Sequence, residues 1–221
     1  MTLSLLRWTP AALLAATAAI TACGHAAGAA PEPSPQPVAG DAATRSAARV
    51  RADSIRRPYT EADVRFMSDM IGHHAQALVM AGWAPTHGAN PSVRTLAARI
   101  INAQQDEIAT MKVWLGDRGR PVPEVHAMSM PGMLMPGMLT EAQMQALDRA
   151  AGPGFDRLFL KDMIQHHRGA VTMVQQLFDT PGAARDETVF KFANDVSADQ
   201  STEVARMETM LAALTSEGSS P

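Results

Sequence analysis

From Tyr59 onward the apolar positions of the chain fall four and three residues apart. Phe66, Met70, His73, Ala77 and Met80 form one seam, and Ala97, Ile101, Gln104, Ile108, Met111 and Leu115 form the next. Phe159, Met163, His166, Ala170 and Met173 repeat the first, and Ala193, Ser197, Gln200, Val204, Met207 and Leu211 repeat the second. That rhythm belongs to helices that bury a single stripe. The flanking residues agree. Thr60, followed by Glu61 and Asp63, suits an N-cap, Gly82 and Pro85 end the first helix, and Pro91-Ser92 open the second. Gly116 to Pro123 stop that helix, and Thr140-Glu141-Ala142-Gln143 open a short one, reaching about Ala150, with a capping box. Gly152-Pro153-Gly154 lead into the third long helix, and Pro181-Gly182 separate it from the fourth. Two helical hairpins of this kind cannot bury their seams separately. The pattern therefore predicts an all-α four-helix bundle made of two repeated hairpins over residues 59–215, followed by a disordered tail, 216–221.

The repeat is chemical as well as apolar. Asp69-Met70-Ile71-Gly72-His73-His74 returns as Asp162-Met163-Ile164-Gln165-His166-His167, and Met80 and Met173 follow at the same offset. Four of the seven histidines sit in these two pairs. The seams turn His73, His166, Gln104 and Gln200 toward the bundle interior and put His74 and His167 about 100° round the helix. Glu107 and Glu203 flank the same seams, and Met111 and Met207 lie one turn further on, as possible ligands or supports of ligands. A buried His-Gln layer could simply fix register. A register device needs one polar residue, however, and each pair has two histidines with methionines before and after. Those donors suit a metal. Asp69 and Asp162 could orient a ring nitrogen or could be surface charges. His25 and His87 are expected to be solvated loop residues.

The connection between the repeats, 124–139, holds His126, Met128, Met130, Met133, Met135 and Met138 around two Pro-Gly breaks. Such a loop is expected at the surface, where methionine has few structural uses. Thioethers are soft ligands that prefer Cu(I) and Ag(I), and they remain ligands in compartments where thiols oxidise. The competing reading is an apolar loop folded over the bundle.

Charge narrows the choice further. The net charge is −3 and no basic block exists, which leaves nucleic-acid binding without electrostatic support. Residues 1–22, with Arg7 ahead of an apolar run, read as a signal peptide. Cys23, the single cysteine, follows Ile20-Thr21-Ala22 as in a lipobox, so it is expected to be lipidated; an incidental cysteine is the alternative. Residues 23–58, rich in Pro and Ala, read as a flexible tether. The expected location is the cell envelope, on the outer face of a bacterial membrane.

The duplicated Met-Ile-x-His-His-x-x-Ala pattern resembles the family described as domain of unknown function 305. So do the second helices, Gln104-x-x-Glu107 and Gln200-x-x-Glu203, and the entry Gly152 to Leu160 into the third long helix. Within that family the chain resembles the CopM-type copper-binding proteins of the bacterial envelope. The resemblance implies a ferritin-like bundle and copper bound through His and Met, as Cu(I), with Ag(I) or Cu(II) as alternatives. It matches at both His pairs and at Met80 and Met173. The expected function is sequestration or hand-over of copper, with metal ions and the membrane as partners and a copper exporter or cuproprotein as a candidate recipient. No enzymatic activity is expected. The Glu-x-x-His of di-iron oxidases does not occur in the chain, and no nucleophile can be assembled. A metal-free structural module is the main alternative, and a metal-dependent oxidase the weaker one.

Overall fold

Thr60 starts the first helix as its position predicts. Its hydroxyl accepts from the Asp63 N–H at 3.2 Å, while the Asp63 carboxylate accepts from the Thr60 N–H at 2.6 Å. A computed structural model describes residues 44–45, 48–49, 52, 58–124 and 134–217. The expected signal peptide, Cys23, most of the tether, His126, Met128, Met130 and Met133 lie outside the described residues. Among the described residues from 58 on, five helices follow one another: α1 (Glu61–Gly82), α2 (Pro91–Asp117), α3 (Glu141–Arg149), α4 (Gly152–Asp179) and α5 (Glu187–Glu217). Asn90 caps α2 by accepting from the Val93 N–H at 2.9 Å, and Thr140 caps α3 through the expected capping box with Gln143. No strand occurs among the described residues, and none of the described helices is long and apolar enough to cross a membrane.

α1 packs along α2 and α4 along α5, and the two hairpins join where α1 meets α4. The core divides into two apolar clusters. One holds Phe66, Met70, Met111, Trp114, Met173 and Phe192, and the other Met80, Ile100, Phe155, Phe159, Met163 and Met207. The first half of α1 thus shares a cluster with the second half of α4, so these helices run antiparallel. His73, His74, Gln104, His166, His167 and Gln200 are buried residues that belong to neither cluster. They form a polar layer where the apolar stripes are interrupted.

Each hairpin is tied to the other through an aspartate near the start of its leading helix. Asp63, fully buried, accepts at 2.6 Å from the N–H of Ala184, which turns the chain before α5 with a φ of 54°. Its repeat equivalent Asp156 accepts at 3.1 Å from the Asn90 N–H and at 2.8 Å from the Asn90 side-chain amide. A buried N–H left without a partner costs about 1–3 kcal/mol, so these reciprocal clasps hold the turns in place.

His87 corrects an expectation. It is not a solvated loop histidine. Its Nε2–H donates to the Asp148 carbonyl oxygen at 2.7 Å, its ring packs 5.3 Å from that of Phe155, and its own carbonyl accepts from the Gly152 N–H. It pins the α1–α2 turn to the junction of α3 and α4.

Candidate metal centre

At the crossing of α1 and α4 the His73 and His166 rings lie face to face, with centroids 3.9 Å apart and planes 38° apart. His166 Nε2 is 2.9 Å from the His73 carbonyl oxygen, and His73 Nε2 is 3.0 Å from the Pro136 carbonyl oxygen. A carbonyl can only accept, so both rings carry their proton on Nε2 and present a bare lone pair on Nδ1. Both Nδ1 atoms are buried without a hydrogen-bond partner. Burial foremost, then the neighbouring His74, lowers the His73 pKa from 6.5 to about 3. Burial and the His73 and His167 charges push His166 well below 6.5 as well. Each ring is therefore neutral at physiological pH, the form that binds metal.

The second histidine of each pair repeats this arrangement with a carboxylate. His74 Nε2 lies 2.8 Å from Glu107 Oε2, and His167 Nε2 lies 2.8 Å from Glu203 Oε2. Their Nδ1 atoms are likewise buried and unpartnered, as are both carboxamide atoms of Gln104 and of Gln200. His74 and His167 lie off the seam, yet both are fully buried because α2 and α5 bring a glutamate to meet them. Asp69 is exposed and Asp162 buried, and neither bonds a histidine ring; the acceptors are Glu107, Glu203 and two carbonyls. Partial desolvation raises the carboxyl pKa of both aspartates, even of the exposed Asp69, against the charges of Arg65 and Lys161.

The six candidate ligand methionines of the helices divide between the two clusters. Met70, Met111 and Met173 belong to one apolar cluster, and Met80, Met163 and Met207 to the other, all essentially buried. Among the described residues no three His, Cys, Asp or Glu side chains gather in a metal-holding group. Imidazole nitrogens with thioethers are the donor set of a soft, low-coordinate ion. The buried Nδ1 lone pairs fit one. A ligating histidine characteristically donates its other N–H to a carboxylate or backbone carbonyl, and all four rings do so.

The end of the Met-rich connection corrects a second expectation. Leu134 is exposed, but residues 135–139 are half-buried or buried rather than free at the surface. Gln76 grips Leu139 both ways, donating to its carbonyl at 3.0 Å and accepting from its N–H at 2.7 Å. Gln165 donates to the Gly137 and Met138 carbonyls at 3.3 and 3.4 Å, and is itself held by Gln143 at 3.1 Å. Gly137, at a φ of +77°, lies so close to α4 that a Cβ there would stand 2.6 Å from Gly169 Cα. Met135 packs half-buried against the core, and Met138 is half-buried beside it. This docking accounts for a departure between the repeats. The first has Gly72 and Gln76 where the second has Gln165 and Gly169. Gln76 and Gln165 bond the segment's backbone, while Gly169 leaves room for it. The only sequence signal was that paired exchange of Gly and Gln at equivalent positions.

The family model described as domain of unknown function 305 (DUF305) matches residues 63–211. A DUF305 fragment from Deinococcus radiodurans is 32% identical, with a TM-score of 0.62 over 70% of this chain and 97% of its own. A DUF305 protein from Streptomyces coelicolor is 30% identical, with a TM-score of 0.62 over 70% and 94% of the two chains. CopM in its Cu(II)-bound form is 32% identical, with a TM-score of 0.57 over 68% of this chain and 95% of its own. CopM has also been solved in Cu(I)-bound and Ag-bound forms. Among curated proteins, the uncharacterized protein L153 of Acanthamoeba polyphaga mimivirus is 36% identical over 56 residues, and the match spans 37% of its length. With its all-helical fold and a family match running from α1 through most of α5, the chain belongs to the DUF305 family.

Proposed function

We propose that this protein binds Cu(I) or Ag(I) through the Nδ1 atoms of His73, His74, His166 and His167, together with thioethers flanking the layer, and that it sequesters or hands on the metal. One observation carries the reading: four buried imidazoles, each with Nε2–H engaged by an oxygen and each with an unpartnered Nδ1. If the layer served only to fix register, His and Gln would bond one another, and Gln104 and Gln200 instead have no partner. The copper- and silver-bound forms of CopM support the choice of ion. Met70, Met111 and Met173 on one side and Met80, Met163 and Met207 on the other are the candidate thioethers. Met135 and Met138 extend the donor set toward the loop, where His126, Met128, Met130 and Met133 would offer a more adaptable second site. The protein acts outside the cytoplasm, anchored through lipid on Cys23, and passes metal to an exporter or cuproprotein without catalysing a reaction.

Anaerobic titration with Cu(I) and with Ag(I) tests the reading. The parent is compared with a variant carrying His73, His74, His166 and His167 as Ala, and with one carrying Met135 and Met138 as Leu. Loss of the tightest ions in the first variant and their retention in the second is the expected result. Identical stoichiometry and affinity in all three proteins would leave the buried layer a packing device.

A further inference from the structure

The helices that bring Glu107 and Glu203 to the histidines leave a cleft between them. It measures about 460 Å³, and its walls include Asp106 and Glu107 from α2 and Glu187, Lys191, Asp195 and Asp199 from α5. Five carboxylates thus face one ammonium, which is itself ion-paired with Asp195. Partial desolvation, then the charges of Glu107, Asp195 and Glu203, raise the Asp199 carboxyl pKa against the pull of Lys191. Glu203, the partner of His167, therefore contributes to the same field. Glu107 belongs to both worlds. Its side chain is 19% exposed in the cleft wall, while the ring it bonds, His74, is 0% exposed. His74 directs its Nε2 edge at this wall and keeps an unpartnered Nδ1 behind it. Gln104, one turn before Glu107 on α2, is 2% exposed, and its carboxamide is unpartnered as well. Glu107 thus lines the acidic cleft and also bonds a ring whose other nitrogen has no partner. The segment 134–139, by contrast, lies against α1 and α4.

We propose that the α2/α5 cleft is the entrance by which a monovalent soft cation, Cu(I) or Ag(I), reaches the histidine layer. The inference rests on the metal-binding reading above. The carboxylates concentrate the cation in the cleft without retaining it. They are hard oxygen donors, whereas the imidazoles and thioethers inside match a soft ion better. Walls of one charge sign beside a low-dielectric interior focus the field and raise association rates about 10- to 1,000-fold at low ionic strength. Salt should erase this advantage, since the Debye length is only about 10 Å at 0.1 M.

The test is Ag(I) uptake from silver nitrate in chloride-free buffer by the full chain. Uptake is stopped at set times with excess thiosulfate, and silver is counted in the protein fraction. A variant with Asp106→Asn, Asp195→Asn and Asp199→Asn should take up silver about tenfold more slowly at low ionic strength and lose most of its salt dependence. Its final silver content should equal the parent's. A control with Asp117→Asn, Glu124→Gln and Asp179→Asn removes the same charge from exposed positions outside the cleft walls and should keep the parent rate. A cleft variant as fast as the parent, or a control slowed equally, would overturn the entrance. A parent that takes up no silver would overturn the binding reading itself, and the entrance with it.

Discussion

Replacing Gly169 with Ala isolates the contact between the docked segment and α4. In an open helix interior this substitution stabilises, because Ala is favoured over Gly by about 1 kcal/mol. At Gly169 the new methyl would overlap the Pro136 carbonyl oxygen and Gly137 Cα, which are backbone atoms that no rotamer change can move aside. The segment has to lift. Lifting breaks the His73–Pro136 bond and the two long bonds from Gln165, at about 1 kcal/mol each. A loss of about 3 kcal/mol against a gain of about 1 leaves the variant less stable by about 2 kcal/mol, equivalent to about 4–8 °C in Tm for a domain of this size. Gly154, in the first turn of α4, has nothing within 4 Å of where a Cβ would stand. Gly154→Ala should leave stability unchanged or raise it by up to about 1 kcal/mol. Urea and thermal unfolding of the metal-free protein measure both variants. If Gly169→Ala melts with Gly154→Ala at or above the parent, the segment is not pressed against the helix and the reasoning fails.

The metal-free domain should also weaken as pH falls from 6.5 toward 3. Unfolded histidines take up protons in that range while His73, with its pKa near 3, and His166 refuse them in the fold. The stability present above pH 6.5 is then lost at up to about 1.4 kcal/mol per pH unit for each histidine. Urea midpoints at pH 7 and pH 5 check this, and a His73→Gln/His166→Gln variant with the same pH slope as the parent would contradict the assignment. Cys23→Ala should move the protein from the membrane fraction to the soluble fraction of expressing cells. Unchanged sedimentation with membranes would rule out the lipid anchor.

The helices and the inward face of each seam were legible because heptad spacing, caps and breakers all pointed the same way. His73, His166, Gln104 and Gln200 are buried as the seams place them. What the spacing could not show is tertiary. His74 and His167 sit beside the stripe, and only the approach of α2 and α5 with Glu107 and Glu203 encloses them. The loop's composition, with Pro and Gly among apolar residues, argued for exposure. The exchange of Gly and Gln between repeats, which gives the segment its seat, acts across two helices and a turn distant in sequence. The seat of His87 is equally invisible to spacing, since its acceptor on Asp148 lies 61 residues away. The role of Asp63 is hidden by an ordinary one, because acidic residues are common in a first helical turn whatever else they touch.

The two aspartate clasps reach across 121 and 66 residues of sequence. During synthesis the first hairpin therefore emerges before Asp156 has been added. At about 5–20 residues per second, the Asn90 turn waits roughly 3–13 seconds for its acceptor. In that interval the leading half has an unfinished turn and half a core, and water must serve in place of the aspartate. The histidine layer takes His166, His167 and Glu203 from the closing half, so it is completed late. Damage to the turn of one repeat should consequently be felt by the histidines of both.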